Sequence, residues 1–467
     1  MKGAEGTMSD TRVYPVDLIL THYATHDDEL DGIDACRWFG HEKLPGSGSA
    51  PVRRIDAGLH PEVGRDGMYY LVKKRTACIG VNGGPMDEHP DGDARCSAFA
   101  KVVEFIGISH MPELQPMLAY ALAADKDCRN GPFEKAPLVK AMWLAGFQLQ
   151  QVLRLHELAF WGLFHSGEPS KTEVPVDGFR AVVGDFVEHL FSGRCTCRFS
   201  SGTEASEFFG RGVYGNGADG NGPDVGISEI LKFERREHLS PFEKKTPFDL
   251  ESIWEAIVRA GKPHEAREFV LACLHAMHVK QSMFLAARAE FSARGTYSDP
   301  TVDQPYVVAF IDSDNEEMKH AVSNLGIADV LHQERSTRRF NIFVLRQCVD
   351  MSPVVARLRC AEWEIKPDRG PYPSPESLYR HGTIREVPQI FSFYGAHNGT
   401  LTAPNTPTSQ IPLERRRQCL QDGLRKAYQL DHTPSLAQLK LIVNERRARK
   451  AAEKAAKEAA AAASEVV

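Results

Sequence analysis

The chain has 467 residues, and at about 150 residues per domain this points to two or three domains. Apolar residues make up 42% and charged residues 25%, an ordinary balance for a folded chain, and the net charge of -6 excludes a protein that holds polyanions by bulk charge. No unbroken apolar run approaches the ~20 residues of a membrane span, Met1 to Asp10 has no apolar signal core, and the cysteines are scattered without a CxxC. The expectation is a reduced, cytoplasmic protein with no membrane partner.

Val16 to Thr21 (VDLILT) reads as a strand, and the period through Ile33, Ala35, Cys36, Trp38 and Phe39 reads as a helix. After a Gly/Ser/Pro linker (PGSGSAP), Val52 to Asp56, Met68 to Val72 and Ala77 to Val81 read as three further strands. Ala94 to Ile108, Leu114 to Ala124, and Pro137 through about His165 are helical by period. Arg194 to Gly226 is a Gly/Ser/Asn-rich insertion, and Phe248 to Ala260 and His264 to Arg294 return to helix. A second α/β pattern follows, with strands at Tyr306 to Ile311, Ala328 to Leu331 and Phe340 to Val344 and a helix at Glu316 to Leu325. From Glu445 the tail is Ala/Lys/Glu-rich and helical. The expected fold is α/β, with a mainly parallel N-terminal sheet flanked by helices. The expected divisions are a metal-binding catalytic domain over 14–190, an insertion and helical connector over 191–300, a smaller α/β substrate-binding domain over 301–410, and a helical tail over 411–467.

Four acid or histidine clusters each close a predicted element. His22, His26 and Asp28 form H-x3-H-x-D after the first strand, where open α/β sheets bind ligands. Imidazole with carboxylate suits Mn, Fe, Zn or Co, although Asp27 or Asp28 would equally serve as a helix N-cap. Asp56 ends the second strand, where an Asp before Ala-Gly is also a common turn former. Asp87, Glu88 and His89 follow the Gly83-Gly84 turn, and taken alone they read as an exposed acidic loop. Asp125 and Asp127 close a helix, and either suits a ligand or an ordinary helix end. Convergence of His22, His26, Asp28, Asp56, Asp87, Glu88 and Asp125 would bring about four to five negative charges together, and such charges repel. Two divalent cations would offset roughly four of them, and their chemistry is in-line attack at phosphorus.

These residues resemble the DHH phosphoesterase superfamily, which includes family II pyrophosphatases, RecJ-type exonucleases and the melanocyte-proliferating-gene type of Mn-dependent exonuclease. His22, His26 and Asp28 resemble the first motif, with the spacing seen in the pyrophosphatases. Asp56 resembles the second motif, and Asp87-Glu88-His89 the name-giving Asp-His-His. Asp125 or Asp127 resembles the fourth-motif Asp, in a string similar to that of the melanocyte-gene branch. The resemblance covers roughly residues 14–135. It implies His22, His26, Asp28, Asp56, Glu88 and Asp125 as metal ligands and His89 as a phosphate or leaving-group contact, with Asp56 and His89 as the catalytic pair. The implied cofactor is two divalent ions, Mn first, with Mg or Co as alternatives. Two positions depart from the pattern: Glu88 stands where the family has His, and His26 where many relatives have Asp. The Gly-Gly-Gly-His string of the nucleases' second domain does not occur.

In the second half, Arg335, Arg338 and Arg339 suit phosphate binding beside small hydroxyls, or else a solvated hairpin. His397 and Asn398 suit a loop that closes over substrate, or an Asn-Gly turn. Arg415-Arg416-Arg417 reads as a solvated helix face, and His156 as an ordinary helix residue. The function expected is a metal-dependent phosphoesterase acting on phosphodiester or phosphoanhydride bonds, with an oligonucleotide or single-strand exonuclease favoured. A catalytically inactive DHH-like binding or scaffold protein is the alternative.

Overall fold

The computed structural model describes residues 12–22, 25–55, 66–81, 83–87, 96–127, 131, 133–192, 246–337, 339–345, 349–366, 371–379, 382–384, 386–393, 400–402 and 409–425. The fold is mixed α/β and divides into two units, Met1–Ser282 and Met283–Val467.

The first unit is built on a three-stranded parallel sheet of β1 (Leu18–His22), β2 (Val52–Ile55) and β3 (Thr76–Cys78), in the order β2-β1-β3. Strand side chains alternate between faces. Ile19, Val52 and Ala77 enter the main core, while Leu20 and Cys78 meet Tyr70 and Val81 on the opposite side. The main core is filled by α1 (Asp27–Phe39), α3 (Ala98–Ile106), α4 (Gln115–Asp127), α5 (Lys135–Leu144), α6 (Leu149–Phe164), α7 (Gly178–Ser192) and α8 (Leu250–Arg259).

The other face is covered by α2, Gly67–Lys74, where Met68 to Val72 was expected to be a strand. End signals decide this segment. The Asp66 carboxylate accepts from the Tyr69 N–H, and Arg75 takes a left-handed conformation (φ 52°) that stops the helix. The apolar run from Pro137 to His165 is likewise two helices. It is broken at Gly146, whose φ of 80° favours glycine.

A 32-residue helix, α9 (Pro263–Arg294), begins in the first unit and ends in the second. Among the described residues it is the one helix long and apolar enough to cross a membrane, and half of its apolar stretch is buried within the fold.

The second unit holds a seven-stranded sheet in the order β4-β5-β6-β7-β10-β9-β8. Its strands are β4 (Thr296–Tyr297), β5 (Val308–Asp312), β6 (Val330–Glu334), β7 (Phe340–Val344), β8 (Gly382–Ile384), β9 (Val387–Phe393) and β10 (Thr400–Thr402). β5 and β6 are parallel, and the other pairs are antiparallel. Alternation again separates two cores. Val308 and Phe310 pack with α11 (Ser352–Ile365) and α13 (Leu413–Gly423). Ala309 and Ile311 pack with Phe291 of α9 and Met318 of α10 (Met318–Leu325). A single turn, α12 (Pro375–Leu378), follows α11.

Candidate metal centre

Four potential ligands stand where β1 ends and α1 begins: His22 at the end of the strand, His26 at the helix N-cap, and Asp28 and Glu29 in the first helical turn. Thr25 fixes the turn, its hydroxyl donating to the His22 carbonyl at 2.7 Å. Trp143 of α5 fixes it from outside, its indole N–H donating to the Thr25 carbonyl at 2.9 Å. His26 is the N-cap of α1, the place where Asp27 or Asp28 was expected. The cap is reinforced from within the helix, because the Glu29 carboxylate accepts from the His26 N–H at 2.7 Å.

This turn creates two groups of donors. Ligand atoms of His26, Asp28 and Asp125 lie within 4.8 Å of one another, and so do those of His22, His26 and Glu29. His26 belongs to both and is exposed, whereas His22, Asp28 and Glu29 are buried. Asp125 comes from the last turn of α4, so the first group is drawn from elements nearly a hundred residues apart. Asp28 is held in place by the Ala98 N–H at the start of α3, which donates to its Oδ2 at 3.0 Å. His22 Nε2 lies 2.5 Å from Glu29 Oε1. Gly80, at φ 65°, leaves the room that the Glu29 carboxylate fills, since a Cβ there would run into it.

Of the other expected ligands, Asp87 is buried, not part of an exposed loop. Its Oδ2 accepts from the Gly83 N–H at 2.6 Å across the turn, and among the described residues it is outside both groups. Asp56, Glu88 and His89 lie outside the described residues, as does the Asp127 side chain. In the second unit, Arg335 sits in the β6–β7 hairpin, where its N–H donates to the Arg339 carbonyl at 2.8 Å. Its guanidinium grips Glu316 with two bonds of 2.6 and 2.9 Å, so its fork already faces a carboxylate. Arg339 is half-buried, and Arg338, His397 and Asn398 lie outside the described residues. Arg416 is not on a solvated face; it is buried and paired with Glu334 at 2.6 Å.

A feature the sequence reading missed lies behind the turn. Asp27, Asp31 and Asp34 recur at the spacing of one face of α1, and that face is buried. Their partners are Lys135 of α5 and His156 of α6, both also buried. Lys135 Nζ is 2.6 Å from Asp31 and 3.2 Å from Asp27. His156 bridges, with Nδ1 2.7 Å from Asp34 and Nε2 3.1 Å from Asp27. His156 is therefore an ionic link and not an ordinary packing residue.

Burial raises the acidic groups against the pull of these cations. It lifts Asp31 to about 6, with Lys135 opposing and Asp27 adding to the rise. It also raises Asp34, whereas for Asp27 the nearby Lys135 and His156 outweigh burial and hold the carboxyl below its usual value. Burial would push the His156 ring down, but its bonds to Asp27 and Asp34 carry it up to about 9. Asp27, Asp31 and His156 also bring ligand atoms within 4.8 Å of one another and could hold a metal ion, but the Lys135 ammonium already sits against two of the three. The clue was legible as acids interleaved with Leu30 and Ile33, a pattern that places charge on a face bound for the core.

No protein-family model matches the chain, and neither a curated protein nor a solved structure matches it.

Proposed function

We propose that the first unit is a divalent-metal-dependent phosphoesterase of the DHH type, hydrolysing phosphodiester or phosphoanhydride bonds. The observation that carries this reading is the meeting of His26, Asp28 and Asp125 at ligand spacing, beside His22 and Glu29. Mixed imidazole and carboxylate donors fit Mn or a similar ion, and the chain's carboxylates here need cationic compensation. His22, His26, Asp28, Asp125 and Glu29 would hold the ions by their geometry, with Asp56, Asp87 and Glu88 added from the sequence and the resemblance alone. When bound, the ions supply charge stabilisation for an in-line displacement at phosphorus.

The protein's own groups do the rest. Thr25 and Trp143 set the turn, Ala98 fixes the Asp28 carboxylate, and Glu29 orients the His22 ring. His89 is assigned the proton for the leaving oxygen on the resemblance alone. An oligonucleotide or single strand is the favoured substrate class.

The test is hydrolysis of single-stranded DNA, RNA, short oligonucleotides and pyrophosphate with added Mn, beside Asp56→Ala and Asp125→Ala. Mn-dependent turnover lost in both variants is expected. Absence of turnover on every substrate, with Mn bound, would favour the second reading, a binding protein on a silent site. The engagement of His22 Nε2 by Glu29 is the observation that favours that alternative.

A further inference from the structure

We propose that Asp27, Asp31 and His156 form a second cation site, buried behind the turn and separate from the centre at His26, Asp28 and Asp125, and that it takes a divalent first-row ion such as Mn, Co or Zn. Ligand atoms of these three residues lie within 4.8 Å of one another, and all three side chains are buried. Lys135 does not exhaust the two carboxylates. Its Nζ lies against Oδ1 of both, at 2.6 Å for Asp31 and 3.2 Å for Asp27. Oδ2 of Asp27 and Oδ2 of Asp31 are buried and have no hydrogen-bond partner among the described residues. A buried carboxylate oxygen left in that state costs free energy, and a bound cation offsets it.

The imidazole is set for coordination as well. Its Nδ1 is 2.7 Å from Asp34, while Nε2 faces Asp27 at 3.1 Å and Asp31 at 3.7 Å. A metal-bound histidine ordinarily gives its other N–H to a carboxylate, which fixes the tautomer and the ring's orientation, and Asp34 stands in that position. The spacings suit a single ion, because two ligands at ~2.1 Å from a tetrahedral centre are ~3.4 Å apart. Charge agrees. The three carboxylates of the cluster against the one ammonium leave two negative charges in a buried region, and one divalent ion beside a neutral imidazole cancels both. Two carboxylates and an imidazole select a first-row ion over Ca. The ligands come from α1 and α6 and Lys135 from α5, so the ion would bind three helices together.

The experiment titrates Mn, Co and Zn separately into the metal-stripped full chain by calorimetry, and follows the thermal midpoint and the visible spectrum of the Co form. It compares wild type with His26→Ala, which removes the ligand shared by both donor groups after β1. His156→Gln and Asp34→Asn are then added to His26→Ala. Asp34→Asn keeps an acceptor for the ring N–H and removes the charge, so it answers if His156→Gln does not fold. His26→Ala is expected to keep one bound ion per chain, with a raised thermal midpoint and a Co spectrum. Adding His156→Gln is expected to abolish that binding, and adding Asp34→Asn to weaken it about 10- to 100-fold. Unchanged affinity on adding Asp34→Asn, or no ion bound by any of these proteins, would overturn the site. Binding by wild type that His26→Ala removes entirely would also overturn it, while leaving the centre after β1 standing.

Discussion

Asp28 serves two masters, a candidate ion on one side and the Ala98 N–H on the other. Asp28→Asn keeps an acceptor for that N–H but weakens the ligand. It is expected to lower Mn affinity by more than the roughly 10- to 100-fold typical when a group behind the ligands is lost, while the urea midpoint moves little. Gly80→Ala acts from the other side, because its Cβ would displace the Glu29 carboxylate from His22. Weaker Mn binding and about 1 kcal/mol of lost stability are expected, measured by titration and by unfolding. His156 sets a pH dependence. Its folded pKa is raised from 6.5 to about 9, so its contribution to stability is complete below 6.5 and disappears as pH rises through about 9. Urea midpoints across that interval should fall in wild type, and His156→Gln should flatten this part of the slope. At this scale His22, His26, Asp28 and Asp125 were legible from their places at element ends. Glu29 was not, because a glutamate in a first helical turn is ordinary until the strand before it brings a histidine alongside.

Among the elements, β1, β2, β7 and the long helices follow their apolar periods closely. The segment Met68 to Val72 does not, because a five-residue run of Met, Tyr, Tyr, Leu and Val suits a strand by composition. Its helical state is set by Asp66 and Arg75 at the ends and by burial of Tyr70 against Leu20 and Cys78 and of Leu71 in the main core. Asp66→Ala is therefore expected to cost about 1 kcal/mol, read by urea unfolding, through loss of the cap to Tyr69. The short strands β8 to β10 escaped the sequence reading. Each is three to seven residues long, too short or too irregular in composition to carry a period, so the partner strands define them.

For the whole molecule, the division at Ser282 falls within α9, a boundary that no linker composition announces because the helix runs on through it. Each unit has its own sheet and its own buried cores. Binding energy for an ion in the first unit is thus expected to appear as local protection. Hydrogen exchange with and without Mn should slow at the start of α1, the start of α3 and the end of α4, and stay unchanged in the β5–β6–β7 sheet. Equal slowing in both units would show that the ion acts elsewhere than on the turn after β1.

The placement of Asp27 and Asp28 on consecutive positions of α1 has a mechanical meaning. Successive residues of a helix project about 100° apart, so one carboxylate looks into the ionic cluster with Lys135 and His156 while the next faces Asp125 and His26. The cluster therefore acts as a key that sets the helix's rotation about its own axis. A roll of only ~20° would carry a side-chain oxygen ~2 Å sideways at its distance from the axis. Metal–ligand distances tolerate about a tenth of that. The buried ions are what would hold the aim of Asp28 within that tolerance.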